Sequence, residues 1–425
     1  MRNLRAQRKR RALRSPPLSF PSAPVAGGVG KRRVVMLVNR LRRGGGAERT
    51  LVTLAIHLPR DRFDVTVVTT RPSAGPLLDT LAAHGIRHVG LDRRARLDLV
   101  PFRRLVTLLR RERIDVLHAH MFGSNLWGAL LGRVAGVPVV VAHEHSWSYE
   151  GQPLRRFLDG RVIGRLVDAF VAVSERDRER MVAVEAIPAE KVVVLRNPYV
   201  PRPRDSSRDV RVTLGLPRTG PLICTVAVLR PEKSLEVLVR GFAQLLTTFP
   251  DASLVIAGDG ECRAQIEGEI EALGISSNVR LPGWWHDVGN LLDAADVAVM
   301  TSEREGLPLF ALECAAHRTP LISTDVGDLA ALFGDGAGVT LVPRGDPSAL
   351  AGEMRGLLED EVRRQRQVSV AATRLGRCEL GNVIRDLVEL YDRLSAVSPR
   401  HAGRGAPLYS IPSARGNKLS GTSTI

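Results

Sequence analysis

The sequence predicts an α/β protein built from two tandem, doubly wound parallel-sheet domains. Short β-branched runs alternate with amphipathic runs of helical length from residue 34 onward. The alternation breaks once, at "PYVPRPRDSSRDVR" (198–211), where prolines and charges read as a linker, and then restarts. The strand runs are continuously apolar rather than alternating, as in a sheet covered on both faces. A length of 425 residues suits two domains of about 100–200 residues each. The expected divisions are a basic disordered tail (1–33), a first domain (34–200), a linker (201–210), a second domain (211–396) and a disordered tail (397–425).

In the first domain "RRVVMLVNRL" is a strand, "RRGGGAE" a glycine-rich turn and "RTLVTLAIHLP" a helix. The strand "FDVTVVTT" follows, then the helix "GPLLDTLAAHGI", stopped by Gly85, and the strand "RHVGL". "PFRRLVTLLRRER" is a basic amphipathic helix feeding the strand "IDVLHAH"; "NLWGALLGRVAG" is a helix ended at Gly136, and "VPVVVAHEH" a strand. "LVDAFVAVSE" and "KVVVLRNP" are strands flanking the helix "RDRERMVAV". The second domain repeats the rhythm through "LICTVAVL", "ASLVIAG", "NVRLPG", "DVAVMTS" and "PLIST", with helices between them and two long helical runs after them.

Composition narrows the function. At 44% hydrophobic the chain builds real cores, and at 4% aromatic it does not suit an all-β or lectin-like fold. The formal charge is +16, but residues 1–33 hold ten Lys/Arg and no acid, and residues 397–425 hold four and no acid. The body is polarised: residues 34–200 carry +9 and residues 201–396 carry −7, so an anionic partner is expected on the first domain. No helix-turn-helix, zinc-finger or RNP pattern is present, and no nucleic-acid partner is expected. Cys224, Cys262, Cys314 and Cys378 are scattered without a CxxC pair, as expected of reduced thiols in a cytoplasmic protein. No apolar window is long enough to span a bilayer. The basic tail and the helix at 102–113 leave open a peripheral contact with anionic lipid, and helix packing on the sheet accounts for the latter equally well.

In open parallel sheets, ligands bind beyond the carboxyl ends of the strands. The polar residues at those ends include Gly44, Gly45 and Gly46, His118 and His120, and His143, Glu144 and His145 in the first domain. In the second they include Arg230 and Lys233, Gly258, Asp259 and Gly260, Trp285 and His286, Glu303 and Glu305, and Asp325 and Gly327. The glycine-rich turn suits close approach of a phosphate, or is simply a tight turn, since it lacks a Walker lysine and GxGxxG spacing. In "LRPEKSL", Arg230 and Lys233 beside a helix N-terminus form a diphosphate clamp or a solvated first turn. In "SEREGLPLFALECAAHRTPLIST" (302–324), Glu305 precedes a helix starting near Pro308, and Glu313 lies about a turn and a half into it. Two carboxylates in an otherwise apolar run need polar company. Sugar and ribose hydroxyls supply it in one reading; a helix cap and a buried hydrogen-bonded acid supply it in the other.

"GGGAERT", "DVLHAHMFGSNLWGALLGRVAGVPVVVAHEHSW", "VAVSE", "LRNP", "LRPEKSLEVLVRGF", "LVIAGDGE", "VRLPG" and "LLDAADVAVMTSEREGLPLFALECAAHRTPLISTDVGD" occur in this order over roughly 34–395. Together they resemble the retaining nucleotide-sugar glycosyltransferases of family 4, with Glu305 and Glu313 similar to that family's E-x7-E pair. The resemblance implies a GT-B fold, two domains facing across a cleft with a C-terminal helix returning toward the first. It implies that Glu313 binds ribose hydroxyls, that Glu305 and the amides of Gly306, Leu307 and Pro308 lie near the donor sugar, and that Gly258, Asp259 and His286 complete the donor pocket. Arg230 and Lys233 would neutralise the diphosphate, His120 would point at the sugar, and Gly45 and Gly46 would line the acceptor or phosphate side. No metal or other cofactor is expected, and the acceptor would be a glycan or lipid-linked carrier of a surface polysaccharide. Other enzymes of the same fold, a phosphorylase or an epimerase, and a non-catalytic nucleotide-sugar binder are the alternatives. Among the departures from the family pattern, Val228 replaces an arginine, Arg318 a small residue, and Asp328 a glycine, with Ala331 where an acid is common; Asp328 would set an anion beside the diphosphate.

Overall fold

The structure is a computed structural model that describes residues 30–95, 98–146, 152–200, 209–334 and 337–397. Seven strands form the first sheet: β1 (Arg32–Val38), β2 (Phe63–Thr69), β3 (Arg87–Gly90), β4 (Val116–His120), β5 (Val139–His143), β6 (Ala169–Ala172) and β7 (Val192–Val194). Six form the second: β8 (Leu222–Val226), β9 (Ser253–Ala257), β10 (Val279–Gly283), β11 (Val297–Met300), β12 (Leu321–Thr324) and β13 (Thr340–Val342). All pairings between these strands are parallel, in the orders β3-β2-β1-β4-β5-β6-β7 and β10-β9-β8-β11-β12-β13. In each sheet the winding reverses at its first strand: β1 has β2 on one side and β4 on the other, and β8 has β9 and β11. Such reversal points open a crevice at the carboxyl ends, where both neighbouring loops turn away.

The continuously apolar strands are explained by the cores. Val34, Met36 and Val38 point into one hydrophobic cluster, with Leu51 and Leu54 of the helix Gly46–His57, while Val35 and Leu37 point into another with Leu105 and Leu109 of the helix Val100–Arg111. In the second sheet Leu222 and Cys224 face one cluster and Ile223 the other. Alternate residues therefore lie on opposite faces and both faces are covered.

The last helix, Leu380–Val397, crosses back to the first sheet and completes its core with Val383, Ile384, Leu387 and Tyr391, as expected of the GT-B arrangement. The fully buried Tyr391 hydroxyl lies 2.7 Å from Nδ1 of His118, and its ring meets Phe63 edge-on at 5.9 Å. Asp392 pairs with Arg32 and, at 2.9 Å, with Arg62.

Arg32 and Arg33, inside the expected tail bounds but also the start of the strand run "RRVVMLVNRL", are the first residues of β1, in register with Phe63 and Asp64. The reason is non-local: Asp392 from the returning helix and the Phe63 ring, 4.8 Å from the Arg32 guanidinium, take up a charge that the local sequence leaves unpartnered. Val397 likewise ends the last helix rather than opening a tail. Residues 1–29, 201–208 and 398–425, which include most of the expected tails and linker, lie outside the described residues. Among the described residues no helix is long and apolar enough to cross a membrane, and all four cysteines are unpaired.

Arg318 is the exposed C-cap of the helix Leu309–His317 and sits in the left-handed region at φ 57°. Glycine adopts that conformation without the Cβ clash. Arg318→Gly is expected to raise stability by about 0.5–1 kcal/mol, read as a higher urea midpoint with an unchanged m-value; a lowered midpoint would show that the side chain contributes more than the strain costs.

Candidate functional site

The carboxyl edges of the two sheets face each other across a cleft of about 1400 Å³. Its walls come largely from the loops after β1, β8 and β11, at the two reversal points. Gly45, Gly46, Arg230, Lys233, Gly258, His286, Glu305, Gly306, Leu307, Pro308 and Glu313 all border it. His120 and Asp259 do not.

On the second-domain wall, Lys233 forms an ion pair with Glu305, and Ser302 Oγ donates to the same carboxylate oxygen at 2.9 Å. The loops after β8 and β11 are stitched together by Glu303 N to Glu232 O (2.8 Å) and Thr301 Oγ1 to Lys233 O (2.9 Å). Lys233 is thereby placed at Glu305 by backbone contacts as well as by charge. Arg230 is 40% exposed, and its ion pair among the described residues is a long one, 3.7 Å, to Glu232, so its guanidinium is open to the cleft. Pro308 is the N-cap of the helix Leu309–His317, so that helix presents its N-terminus to the cleft.

Glu313 is 6% exposed, and Arg49 of the first domain meets it at 2.6 Å. Asn197, also from the first domain, donates to Leu307 O at 2.7 Å and accepts from Thr50 Oγ1 at 3.2 Å. Arg43 lies 2.7 Å from His286 Nε2 and over the Trp284 ring at 5.7 Å. Sequence reasoning missed Arg49 and Asn197, because partners more than a hundred residues apart leave no local pattern. Both lie inside motifs that carry the family resemblance, Arg49 in "GGGAERT" and Asn197 in "LRNP", but neither motif names the partner across the cleft.

Two glycines mark close approaches, one between the domains and one within the second. Gly44 has φ 83°, and a Cβ there would lie 2.1 Å from the Trp284 ring. Gly327 has φ 54°, and a Cβ would lie 1.8 Å from Gly306 O, beneath the cleft floor. Asp259 turns back to accept from Gly260 N at 2.8 Å, the contact of a local turn.

Asp328 is 5% exposed and points away from the cleft. Its two oxygens accept from the backbone N–H groups of Glu175 (2.7 Å) and Arg176 (3.1 Å), at the start of the first-domain helix Glu175–Ala183. It caps a helix of the other domain, where negative charge is favourable. Asp325 reinforces this contact through Arg176 at 3.0 Å. Among the departures from the family pattern, Asp328 and Arg318 lie outside the cleft lining and Val228 borders it.

His118 and His120 on β4 and His143 and His145 at the end of β5 form a buried stack, with successive ring centroids 4.2–5.3 Å apart. His120 Nδ1 lies 3.0 Å from His145 Nε2, and His145 is the member that borders the cleft. His120 thus reaches the cleft only through His145. Ligating atoms of His118, His120 and His143 come within 4.8 Å of one another. The His118 and His143 rings are nearly parallel, at 14°, so their in-plane lone pairs do not converge on one point. Burial holds all four imidazoles neutral, with His118 and His145 pushed down to about 3.

A helix, Pro153–Leu158, and a π-helical turn, Asp159–Ile163, occupy the segment between β5 and β6 that the sequence reading left unassigned. They bring Arg155 to the cleft, 3.7 Å from the buried Glu144.

Comparison with known proteins agrees with this geometry. The family model described as Glycosyltransferase Family 4 matches residues 44–201, and that described as Glycosyl transferases group 1 matches residues 206–374. The chain is 29% identical over 284 residues to an alpha-D-kanosaminyltransferase of Streptomyces kanamyceticus, covering 62% of this chain and 73% of that one. It is 28% identical over 408 residues to a D-inositol 3-phosphate glycosyltransferase of Kineococcus radiotolerans, covering 85% and 93%. Among solved structures it resembles HepE of Anabaena in complex with UDP-glucose, with TM-score 0.75 and 20% identity over 85% of this chain and 99% of that one.

Two outcomes follow from the geometry. Asp328→Ala removes the cap between domains and is expected to cost about 1 kcal/mol, measured by urea unfolding; an unchanged midpoint would show the contact to be idle. The histidines set an acid limit. Unfolded imidazoles take up protons near their ordinary value of 6.5, while the folded His118 and His145 do not until about 3. Stability is therefore full above about 6.5 and falls as the pH drops toward 3, by roughly 1.4 kcal/mol per pH unit for each proton that only the unfolded state binds. Urea midpoints that stay level between pH 6.5 and pH 5 would contradict this.

Proposed function

The chain belongs to glycosyltransferase family 4, and on that premise we propose that it moves a hexosyl group from a nucleoside-diphosphate sugar to a glycan or lipid-linked acceptor, with retention at the anomeric carbon. The observation that supports this most is that Glu305 and Glu313, Arg230 and Lys233 all border the cleft, carboxylates and cations together. In the proposed complex Glu313 accepts from the ribose hydroxyls, and the N-terminus of the helix Leu309–His317 and Arg230 and Lys233 face the diphosphate. The bond from the anomeric carbon to the diphosphate oxygen breaks, the acceptor oxygen bonds to that carbon, and the acceptor proton passes to the departing phosphate. Cations fixed where this negative charge develops favour the transition state more than the ground state. These cations meet the diphosphate without a divalent metal. Glu305, held by Lys233 and Ser302, stands beside the sugar. His120 is a positioning residue that orients His145 at the first-domain wall.

Polysaccharide or glycolipid synthesis at the inner face of the membrane is the setting this chemistry suits. Among the relatives is a UDP-Gal:alpha-D-GlcNAc-diphosphoundecaprenol alpha-1,3-galactosyltransferase of Escherichia coli, 25% identical over 63% of this chain and 73% of that one. A second reading, a nucleotide-sugar binder without turnover, is favoured by one observation: Val228 borders the cleft where an arginine is expected.

A panel of UDP-, GDP- and ADP-sugars separates the readings. The full chain is expected to bind one class of donor and release its nucleoside diphosphate slowly. Glu313→Ala is expected to abolish that binding. Lys233→Ala is expected to keep binding within a few-fold and to lower turnover by about a hundredfold, as for other groups that stabilise developing charge. Binding without release in the presence of lipid-linked and soluble acceptors would favour the second reading, and absence of binding to every donor would overturn both.

A further inference from the structure

We infer that the acceptor carries a phosphate group, bound on the first-domain wall of the cleft by Arg40, Arg42 and Arg71. This rests on the transferase reading and names the chemical class of its second substrate. Arg40 and Arg42 lie on the loop that leaves β1, and Arg71 on the loop that leaves its neighbour β2; all three border the cleft. The two exits are bound to one another. Thr70 N donates to Val38 O (3.0 Å), Arg71 N to Asn39 O (2.8 Å) and Leu41 N to Ser73 Oγ (3.0 Å), so the three arginines spring from one stitched edge.

None of the three has an ion-pair partner among the described residues, whereas the other arginines of this wall are engaged. Arg49 holds Glu313, Arg43 meets His286, and Arg155 faces Glu144. Arg40 is half-buried, and its Nε is shut off from solvent without an acceptor. A partnerless buried donor and a concentration of like charge are both unfavourable unless an anion arrives to meet them. The acids on this wall do not balance them, since Glu144 is buried beside Arg155 and Glu48, which feels Arg42, is one buried carboxyl against three guanidinium groups. Guanidinium forks match a phosphate oxygen by oxygen, and several of them at one edge exceed what a neutral sugar would use. Arg230 and Lys233 serve the opposite wall, beyond β8. The cleft thus carries cations on both of its walls, enough for two phosphate-bearing ligands at once.

The test holds the full chain at saturating nucleoside diphosphate, so the donor side is filled. Binding of glycerol 1-phosphate is compared with glycerol, and binding to phosphatidylcholine vesicles with phosphatidic acid is compared with vesicles without it. At least one phosphate probe is expected to bind about tenfold or more tightly than its neutral counterpart, the preference falling about tenfold in the Arg40→Gln/Arg71→Gln variant. Arg40→Lys/Arg71→Lys is expected to restore part of it, and thermal midpoints of the variants report folding. Preference for the soluble phosphate alone identifies a soluble sugar phosphate as the acceptor class; preference for the vesicles alone identifies a lipid-borne one. The inference is overturned if neither probe beats its neutral counterpart, if the Gln variant keeps the preference while folded, or if the phosphate displaces the nucleotide, which would assign the arginines to the donor. Failure of the nucleotide to bind at all would count against the transferase reading and leave the arginine comparison standing.

Discussion

The arrangement depends on one pairing, Glu313 with Arg49. A carboxylate 6% exposed in the first turns of a helix is unfavourable by several kcal/mol unless a partner meets it. Arg49 comes from the other domain, so this contact forms only when the two carboxyl edges are close together. Because Arg49 is itself 36% exposed, screening limits what the pair contributes to stability. Its larger consequence is geometric. It fixes the helix Leu309–His317 against the helix Gly46–His57, with Asn197 and Leu307 alongside, and so sets the width of the cleft.

The opposite charges of the two halves take on a specific meaning in this light. Part of the positive excess of the first domain is spent on carboxylates of the second: Arg49 on Glu313 and Arg176 on Asp325. These contacts frame the cleft from two sides, and Asp328 adds a third through backbone amides rather than a cation. Among the described arginines without an ion-pair partner, Arg40, Arg42 and Arg71 stand at the exit of β1 and β2, on the cleft lining. The charge imbalance visible in composition therefore reports both an interface and a binding wall, and only the structure separates them.

Much of this was legible in the sequence because it is local. Continuous apolar strands followed from burial on both faces, and Gly85 and Gly136 marked helix ends by the left-handed conformation they adopt at φ 64° and 80°. Glu305 and Glu313 stood out as carboxylates in an apolar run. What the sequence hid is non-local. The partners of Arg32 lie far along the chain, at Asp392, and on the Phe63 ring, and Asp328 looked like a pocket residue because the helix it caps begins about 150 residues earlier. His120 was read as facing the sugar, yet strand register places it behind His145: His120 lies level with His143, and His145 projects two residues further toward the cleft.

The departures from the family pattern can then be weighed by position rather than by count. A substitution alters a charged ligand's site through the field it adds there, and that field weakens with distance and with competing hydrogen bonds. Asp328 has both oxygens committed to amides of another helix, so its charge is neutralised by that helix's N-terminus before it can act on the cleft. Arg318 is an exposed cap on the far end of the helix whose near end borders the cleft, and it bears on stability through backbone strain alone. Val228 adds no unfavourable charge; it removes one favourable cation from a wall where Arg230 remains open and Lys233 is already anchored at Glu305. The loss of one cation among several is graded, whereas an anion in the same place would be prohibitive. The electrostatics of the cleft thus remain those of a site for an anionic ligand.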